Sequence, residues 1–187
     1  MANNGRPLLA LLLIFAAPLG LAFWLYYGSH WRPPLRTNHG QLVEPVLPLP
    51  PLPAEGGSAN ALRGRWSLLV VGDGASGCDD QCRGALVYAR QTWLSLGKLA
   101  PRVQRVLLGG TGCCDHAYLR DEHQGLSVAK LQDPAVATVR SKLPPPLEGT
   151  LFVVDPLGNL MMRYDVRQDP KGLREDLKNL LELSHIG

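Results

Sequence analysis

Two cysteines four residues apart, Cys78 and Cys82, are the side chains of this sequence best suited to chemistry. They follow an apolar run over 66–71 and precede a segment with helical periodicity. If Cys82 lies in the first turn of that helix, both sulfurs share one helix face, because residues i and i+4 are neighbours there. A helix N-terminus also favours thiolate. The pair can therefore form a disulfide or hold a soft metal ion, the alternative being a purely structural disulfide.

A second cluster of possible ligands, Cys113, Cys114 and His116, follows the apolar run over 103–108. If this run and the strand over 66–71 are parallel neighbours, their carboxyl ends share the sheet edge where such folds place their sites. Three interpretations of the cluster stay open: a third metal ligand, a resolving thiol for disulfide exchange, or structural cysteines. Adjacent cysteines rarely bridge each other, because the geometry strains the peptide.

Charge and composition exclude nucleic acid as a partner. The chain has 187 residues, with 19 Lys and Arg against 16 Asp and Glu, so its net charge is only +3. There is no run of basic residues and no basic stripe with interleaved aromatic residues. The 4 cysteines are too few for a disulfide scaffold in a chain of this length. Their clustering in two pairs instead indicates a site.

An uncharged, mostly apolar stretch over 8–27 predicts a membrane-spanning helix. Twenty residues rise by about 30 Å, which is the thickness of the bilayer core. Trp24, Tyr26 and Tyr27 lie at its far end, where an aromatic belt is expected. A cleaved signal peptide is the alternative, but its apolar region is usually only about 7–15 residues long. We therefore expect an uncleaved signal anchor, with the cysteines outside the cytoplasm in a periplasm-like space.

A proline-rich segment over 28–62 predicts a stalk between the membrane and a folded domain. Seven of the 16 prolines lie between Arg32 and Pro53, a composition typical of extended polyproline II. We interpret this segment as a solvated spacer. His39, which lies in it, is interpreted as an ordinary loop residue.

Residues 63–187 are predicted to form one α/β domain with the order strand, helix, strand, helix, strand, strand, helix, which is that of the thioredoxin fold. The predicted strands cover 66–71, 103–108, 150–154 and 160–164, and the predicted helices cover 80–99, 133–143 and the segment after 169. A turn over 155–159 is expected to join the last two strands. His123 is expected to be exposed to solvent.

The chain resembles the Sco/SenC family, whose members are membrane-tethered, thioredoxin-like proteins of cytochrome c oxidase assembly. The resemblance depends on the anchor, the proline-rich stalk, the Cys-x-x-x-Cys motif over 78–82 and the sequence LFVVDPLGNLMMRY over 151–164. The likeness is greatest to the small bacterial Sco-like proteins. It covers most of the chain from Arg63 onward, together with the anchor.

The resemblance implies that Cys78 and Cys82 bind copper(I), an ion that prefers soft thiolate ligands. In the family a third ligand, a histidine, precedes the last hairpin. Leu147 stands at that position here. Two thiolates can hold copper(I) linearly without it, and the segment from Cys113 to His116 is an alternative source of a ligand.

The resemblance also implies a single-pass protein of the bacterial inner membrane with its domain in the periplasm. Such a protein assists cytochrome c oxidase assembly, with an oxidase subunit as partner, subunit II by family analogy. It delivers copper(I) or keeps the cysteines of the oxidase copper site reduced. The alternatives are a periplasmic thiol–disulfide oxidoreductase without metal and a non-catalytic assembly scaffold with a degenerate site. Whether the protein is an enzyme depends on which of these is correct.

Overall fold

The structure, a computed structural model, divides the chain into two units, Met1–Thr37 and Asn38–Gly187. It describes residues 5–28, 37–55, 59–72, 80–109, 114–130, 132–147, 149–167 and 171–187. Cys78 and Cys113 lie outside these ranges, so the roles predicted for them stay predictions.

The first unit contains one helix, α1 (Gly5–Tyr27), which includes Pro18. The stretch Pro7–Tyr27 is long and apolar enough to cross a membrane. Its large apolar side chains are exposed along the whole helix, which is unfavourable in water and favourable in lipid. These properties agree with the anchor predicted over 8–27.

The second unit is built on a six-stranded sheet with the strand order β1-β6-β5-β2-β3-β4. The strands are β1 (Gln41–Pro48), β2 (Trp66–Val71), β3 (Val103–Leu108), β4 (Leu126–Ala129), β5 (Thr150–Val154) and β6 (Asn159–Asp165). The helices are α2 (Asp80–Ser95), α3 (His116–Glu122), α4 (Pro134–Lys142) and α5 (Gly172–Leu183), with a 3-10 helix over Gly97–Arg102. Strands β2, β3 and β4 are parallel, whereas β5 runs antiparallel to β2 and β6.

The central strands β2, β3 and β5 are buried on both faces of the sheet, which explains the continuous apolar sequence of β2. Leu68 and Val70 face a core that contains buried residues of α2 and α5. Leu69 and Val71 face a second core that contains buried residues of α4. This mixed sheet with helices on both sides confirms the predicted thioredoxin-like α/β fold.

The predicted turn between β5 and β6 is confirmed, and its first residue stabilises it. The Asp155 carboxylate accepts hydrogen bonds from the backbone N–H groups of Leu157 at 2.9 Å and Asn159 at 2.8 Å. Gly158 has a φ of +90°, a conformation that glycine adopts without steric cost. Local turn chemistry therefore accounts for the hairpin.

The segment predicted as a spacer over 28–62 differs from the structure in its second half. Strand β1 pairs with β6 at one edge of the sheet, and Leu52 and Leu62 are buried in the second core. The folded unit therefore begins at Asn38 rather than at residue 63. Prolines concealed the strand in the sequence, because only an edge strand tolerates them well.

Helix α3 and strand β4 were not predicted. They have seven and four residues, and no residue of α3 is buried, so neither produces a strong periodic pattern. Helix α2 also ends at Ser95, before the predicted boundary at residue 99, and the 3-10 helix follows.

A buried carboxylate, Asp176 on α5, connects the amino end of the folded unit to the helix. Its Oδ2 accepts hydrogen bonds from the backbone N–H groups of His39 at 2.8 Å and Gly40 at 2.9 Å, and from the Tyr164 hydroxyl. Its Oδ1 lies 3.2 Å from Nδ1 of His39. Burial and this hydrogen bond raise the pKa of Tyr164 well above its usual range. His39 is thus a structural contact of the fold rather than an ordinary loop residue.

The close approach of Gly40 to Tyr164 predicts a large difference between two glycine substitutions. An added Cβ at Gly40 would overlap the ring of Tyr164, whereas one at Gly84 in α2 would meet no atom of the described residues within 4 Å. We expect Gly40→Ala to lower the free energy of unfolding by about 1–3 kcal/mol through overpacking. Gly84→Ala should raise it by about 1 kcal/mol through helix propensity. Urea unfolding of residues 38–187 measures both, and equal effects would contradict the close contact.

Candidate functional site

Cys82 lies in the first turn of α2, two residues after the helix begins at Asp80. Its side chain is only 2% exposed and belongs to the core that α2 shares with α5. The predicted position of this cysteine at a helix N-terminus is confirmed, so the helix dipole can act on its sulfur.

The sheet places the ends of β2 and β3 side by side, as the sequence predicts. Val71 pairs with Leu108 in the parallel register, so the segments that follow both strands leave from the same edge. Cys114 follows β3 and lies in the same apolar core as Cys82, with 3% of its surface exposed. The structure therefore brings one cysteine of each predicted pair into one cluster.

Cys114 is disulfide-bonded. His116, the third member of the predicted cluster, is exposed at the start of α3. Asp115 caps this helix by accepting a hydrogen bond from the Ala117 N–H at 3.1 Å.

The loop before β5 passes close to Gln81, a residue of the cysteine motif. A Cβ added at Gly149, which has a φ of +66°, would lie 3.1 Å from Oε1 of Gln81. Leu147 is half-buried and packs on the second core, together with residues of α4. The residue at the position where the resemblance places the family's histidine therefore packs against the core here. Within the described ranges, no group of three His, Cys, Asp or Glu side chains could hold a metal.

A cavity of about 430 Å³ adjoins Cys114. Its wall includes Leu119 of α3, Val128 of β4, and the side chains of His116 and His123. The Glu55 carboxylate, 2.7 Å from Nζ of Lys130, lies at the same cavity. The cavity therefore combines apolar walls with polar groups beside Cys114.

His123 is buried, with 2% exposed surface, so the expectation that it faces solvent is wrong. Its ring packs edge-on against Tyr118 at 5.0 Å between centroids, and neither ring nitrogen has a hydrogen-bond partner among the described residues. Burial and the charges of Arg105 and Arg90 lower the pKa of this imidazole. Its position after a short, weakly periodic helix gave no sequence signal of burial.

The lowered pKa of His123 predicts that the folded unit loses stability on acidification. The unfolded chain binds a proton near the usual pKa of about 6.5, whereas the folded chain does so only at lower pH. Stability is therefore present above about pH 6.5 and falls as the pH drops below it. We expect His123→Leu to reduce this loss in urea unfolding between pH 7.5 and 5.0. His185→Gln, which removes an exposed histidine, should follow the wild type, and identical profiles for all three proteins would contradict the assignment.

Comparisons with known proteins agree with this architecture. Residues 66–184, well over half of the chain, match the family model described as "Transmembrane-like, thioredoxin-like, C-terminal domain". The folded unit is thus a thioredoxin-like domain. The chain belongs to this transmembrane-like, thioredoxin-like family. A search of curated proteins found no match.

Several solved Sco structures have a similar fold. Copper-bound Sco1 from yeast is 19% identical, with a TM-score of 0.57 over 76% of this chain and 96% of that one. Copper-bound ScoI from Arabidopsis thaliana is 15% identical, with a TM-score of 0.51 over 66% and 88%. A SCO1/SenC family lipoprotein from Bacillus anthracis is 10% identical, with a TM-score of 0.51 over 75% and 97%. The resemblance to the Sco/SenC family is confirmed at the level of the fold.

Proposed function

We propose that this protein is a membrane-anchored, Sco-like assembly factor for cytochrome c oxidase that acts through Cys78 and Cys82. The observation that carries the proposal is the thiol of Cys82. It lies in the first turn of the helix that follows β2, beside the edge where β2 and β3 end. Sites of open α/β sheets lie at this edge. The copper-bound Sco structures of similar fold suggest copper(I) as the cargo.

The donor set suits copper(I) rather than copper(II). Two thiolates are soft ligands, which copper(I) prefers. Leu147 packs in the opposite core, so the family's histidine ligand has no equivalent at that position. We therefore propose a site of two thiolates from which copper(I) passes to thiolates of the oxidase, subunit II being the proposed partner.

The same thiols can act by reduction instead of delivery. Cys78 and Cys82 would transfer two electrons and two protons to a disulfide of the oxidase copper site, and would themselves become a disulfide. Helix α1 would hold the domain at the inner membrane on its periplasmic side, the compartment in which such disulfides form.

A metal-free thiol–disulfide oxidoreductase is the second candidate, and one observation favours it. Cys114 is disulfide-bonded and lies in the same core as Cys82, so a disulfide is already present beside the motif cysteine. This candidate needs neither copper nor an oxidase.

Complementation of cells that lack the protein tests the proposal. We expect low oxidase activity that is restored by the wild type but not by Cys78→Ser or Cys82→Ser at equal protein levels. Recovery of the variants with added copper would support copper delivery, and recovery with a membrane-permeant dithiol would support thiol reduction. Full oxidase activity in cells without the protein would overturn the proposal.

A further inference from the structure

Two buried polar side chains near β3 and α3 have hydrogen-bonding atoms without a partner. Neither ring nitrogen of His123 is hydrogen-bonded within the part of the chain that the structure describes, and the same holds for Nη1 of Arg105. The two residues are only 2% and 3% exposed. Nearly all buried polar atoms of proteins are hydrogen-bonded, so unpaired atoms of this kind indicate an occupant that the protein chain does not itself supply.

Arg105 also carries a buried positive charge that no carboxylate compensates. Its guanidinium lies over the Trp93 ring, 5.0 Å from the centroid, and Nη2 donates a hydrogen bond to the Gln124 carbonyl. No Asp or Glu of the described ranges forms an ion pair with it. Burial and the charge of Arg90 lower the pKa of this guanidinium. A buried charge is costly unless an opposite charge or hydrogen bonds compensate it, so this site favours an anion.

The cavity beside α3 reaches both of these side chains. His123 lines it, and so do Gln124 and Gly125, which lie against the Arg105 guanidinium. A Cβ added at Gly125 would be 4.0 Å from Nη2 of Arg105. The guanidinium therefore lies directly behind the backbone that forms this end of the cavity.

A second part of the cavity wall is apolar. It consists of side chains from α3 and β4, namely Leu119, Leu126 and Val128. Two charged side chains that also line the cavity already have partners. Nζ of Lys130 lies 2.7 Å from Oε1 of Glu55, and Nε of Arg120 lies 3.0 Å from Oδ1 of Asp121. Arg105 is thus the buried cation at this cavity that lacks a counter-charge among the described residues.

We propose that this cavity binds a small amphipathic carboxylate, with its apolar body against Leu119 and Val128 and its carboxylate at the end formed by His123 and Gln124, near Arg105. The volume of about 430 Å³ falls within the range of about 300–1,000 Å³ that is typical of small-molecule sites. One guanidinium matches a monoanion, and carboxylate oxygens accept hydrogen bonds from guanidinium and imidazole N–H groups. The site goes beyond the proposed function, because it uses neither motif cysteine.

Titration of the full-length protein in detergent with hydrocinnamate tests the site, with hydrocinnamyl alcohol as the uncharged analogue. Hydrocinnamate carries a phenyl ring on a short chain that ends in a carboxylate. We expect one saturable site per chain, with shifts of the NMR signals of the His123 ring and of the Gln124 and Gly125 amides. The alcohol has the same apolar body without the charge, so it should bind about tenfold or more weakly. No saturable binding, no shift of these signals, or equal affinities for acid and alcohol would overturn the proposal.

Three variants locate the site. Arg105→Met removes the charge but keeps an unbranched side chain, so its affinity for hydrocinnamate should fall to that for the alcohol. Leu119→Trp fills the cavity and should abolish the binding of both compounds. Arg140→Met is the matched control, since Arg140 is half-buried and also donates to a backbone carbonyl, that of Gly72. It lies on α4, against the opposite face of the sheet, so this variant should bind hydrocinnamate as the wild type does.

The proposal stays testable if Arg105→Met does not fold, because Leu119→Trp and the comparison of acid with alcohol each decide it. Unchanged binding by Leu119→Trp, or equal losses in Arg105→Met and Arg140→Met, would overturn it. Failure of copper carriage is a separate result. Cys82→Ser that loses copper(I) while it binds hydrocinnamate as the wild type does would support both proposals, whereas a wild type that binds copper(I) but not hydrocinnamate would overturn only this one.

Discussion

Asp176→Ala is expected to lower the free energy of unfolding of residues 38–187 by about 3 kcal/mol or more. The reason is that a buried N–H or O–H group without an acceptor has lost its hydrogen bonds to water and gained none in the protein. Oδ2 of Asp176 accepts hydrogen bonds from His39, Gly40 and Tyr164, and the carboxylate is only 4% exposed. Alanine leaves all three donors without this acceptor. Urea unfolding measures the loss, and increased amide hydrogen exchange in β1 should accompany it.

Two further substitutions distinguish this role from a general effect of charge. Glu175 precedes Asp176 on α5 and lies 3.6 Å from Nε2 of His39, but its side chain is 57% exposed. We therefore expect Glu175→Ala to change the stability by less than about 0.5 kcal/mol. Asp176→Asn should keep part of the stability, because the amide oxygen can still accept hydrogen bonds at the position of Oδ2. Equal losses for Glu175→Ala and Asp176→Ala would contradict the account.

Cys82→Ser is expected to lower the affinity of the reduced protein for copper(I) by about 100-fold or more, since even the loss of groups that only orient ligands costs about 10–100-fold. Serine has nearly the same shape, so the core around this 2% exposed side chain should stay packed. A hydroxyl is a hard, protonated ligand that copper(I) does not favour. Anaerobic competition with a copper(I) chelator measures the affinity.

Cys113→Ser is the matched control for this substitution. It also replaces one thiol by a hydroxyl, but it leaves both motif cysteines in place. We expect its copper(I) affinity to be close to that of the wild type. An equal loss in Cys113→Ser and Cys82→Ser would show that thiol content, rather than the motif, determines binding.

The parts of the fold that short-range patterns determine were predictable. Six consecutive apolar or small residues over Trp66–Val71 indicate a strand covered on both faces, and all six are buried. Asp133 and Pro134 mark the start of α4, where the Asp133 side chain accepts a hydrogen bond from the Ala135 N–H at 2.8 Å. The location of Cys82 in the first turn of a helix was also predicted correctly from the sequence.

The parts that depend on distant partners were not predictable. Strand β1 forms because it pairs with the edge of β6. The two strands are far apart in the sequence, since β6 begins at Asn159, which is 118 residues after Gln41. Burial of His123 requires contact with Tyr118 and the neighbouring core. The packing of Leu147 on the second core and the oxidation of Cys114 are likewise tertiary properties. Local sequence carries no pattern for any of them.

Copper(I) titration of the fully reduced, full-length protein under anaerobic conditions tests the central claim most directly. The account predicts one copper(I) per chain in the wild type and in Cys113→Ser, and loss of this stoichiometric binding in both Cys78→Ser and Cys82→Ser. A reduced wild type that binds no copper(I), or a Cys82→Ser variant that binds it as the wild type does, would contradict copper carriage through the motif cysteines.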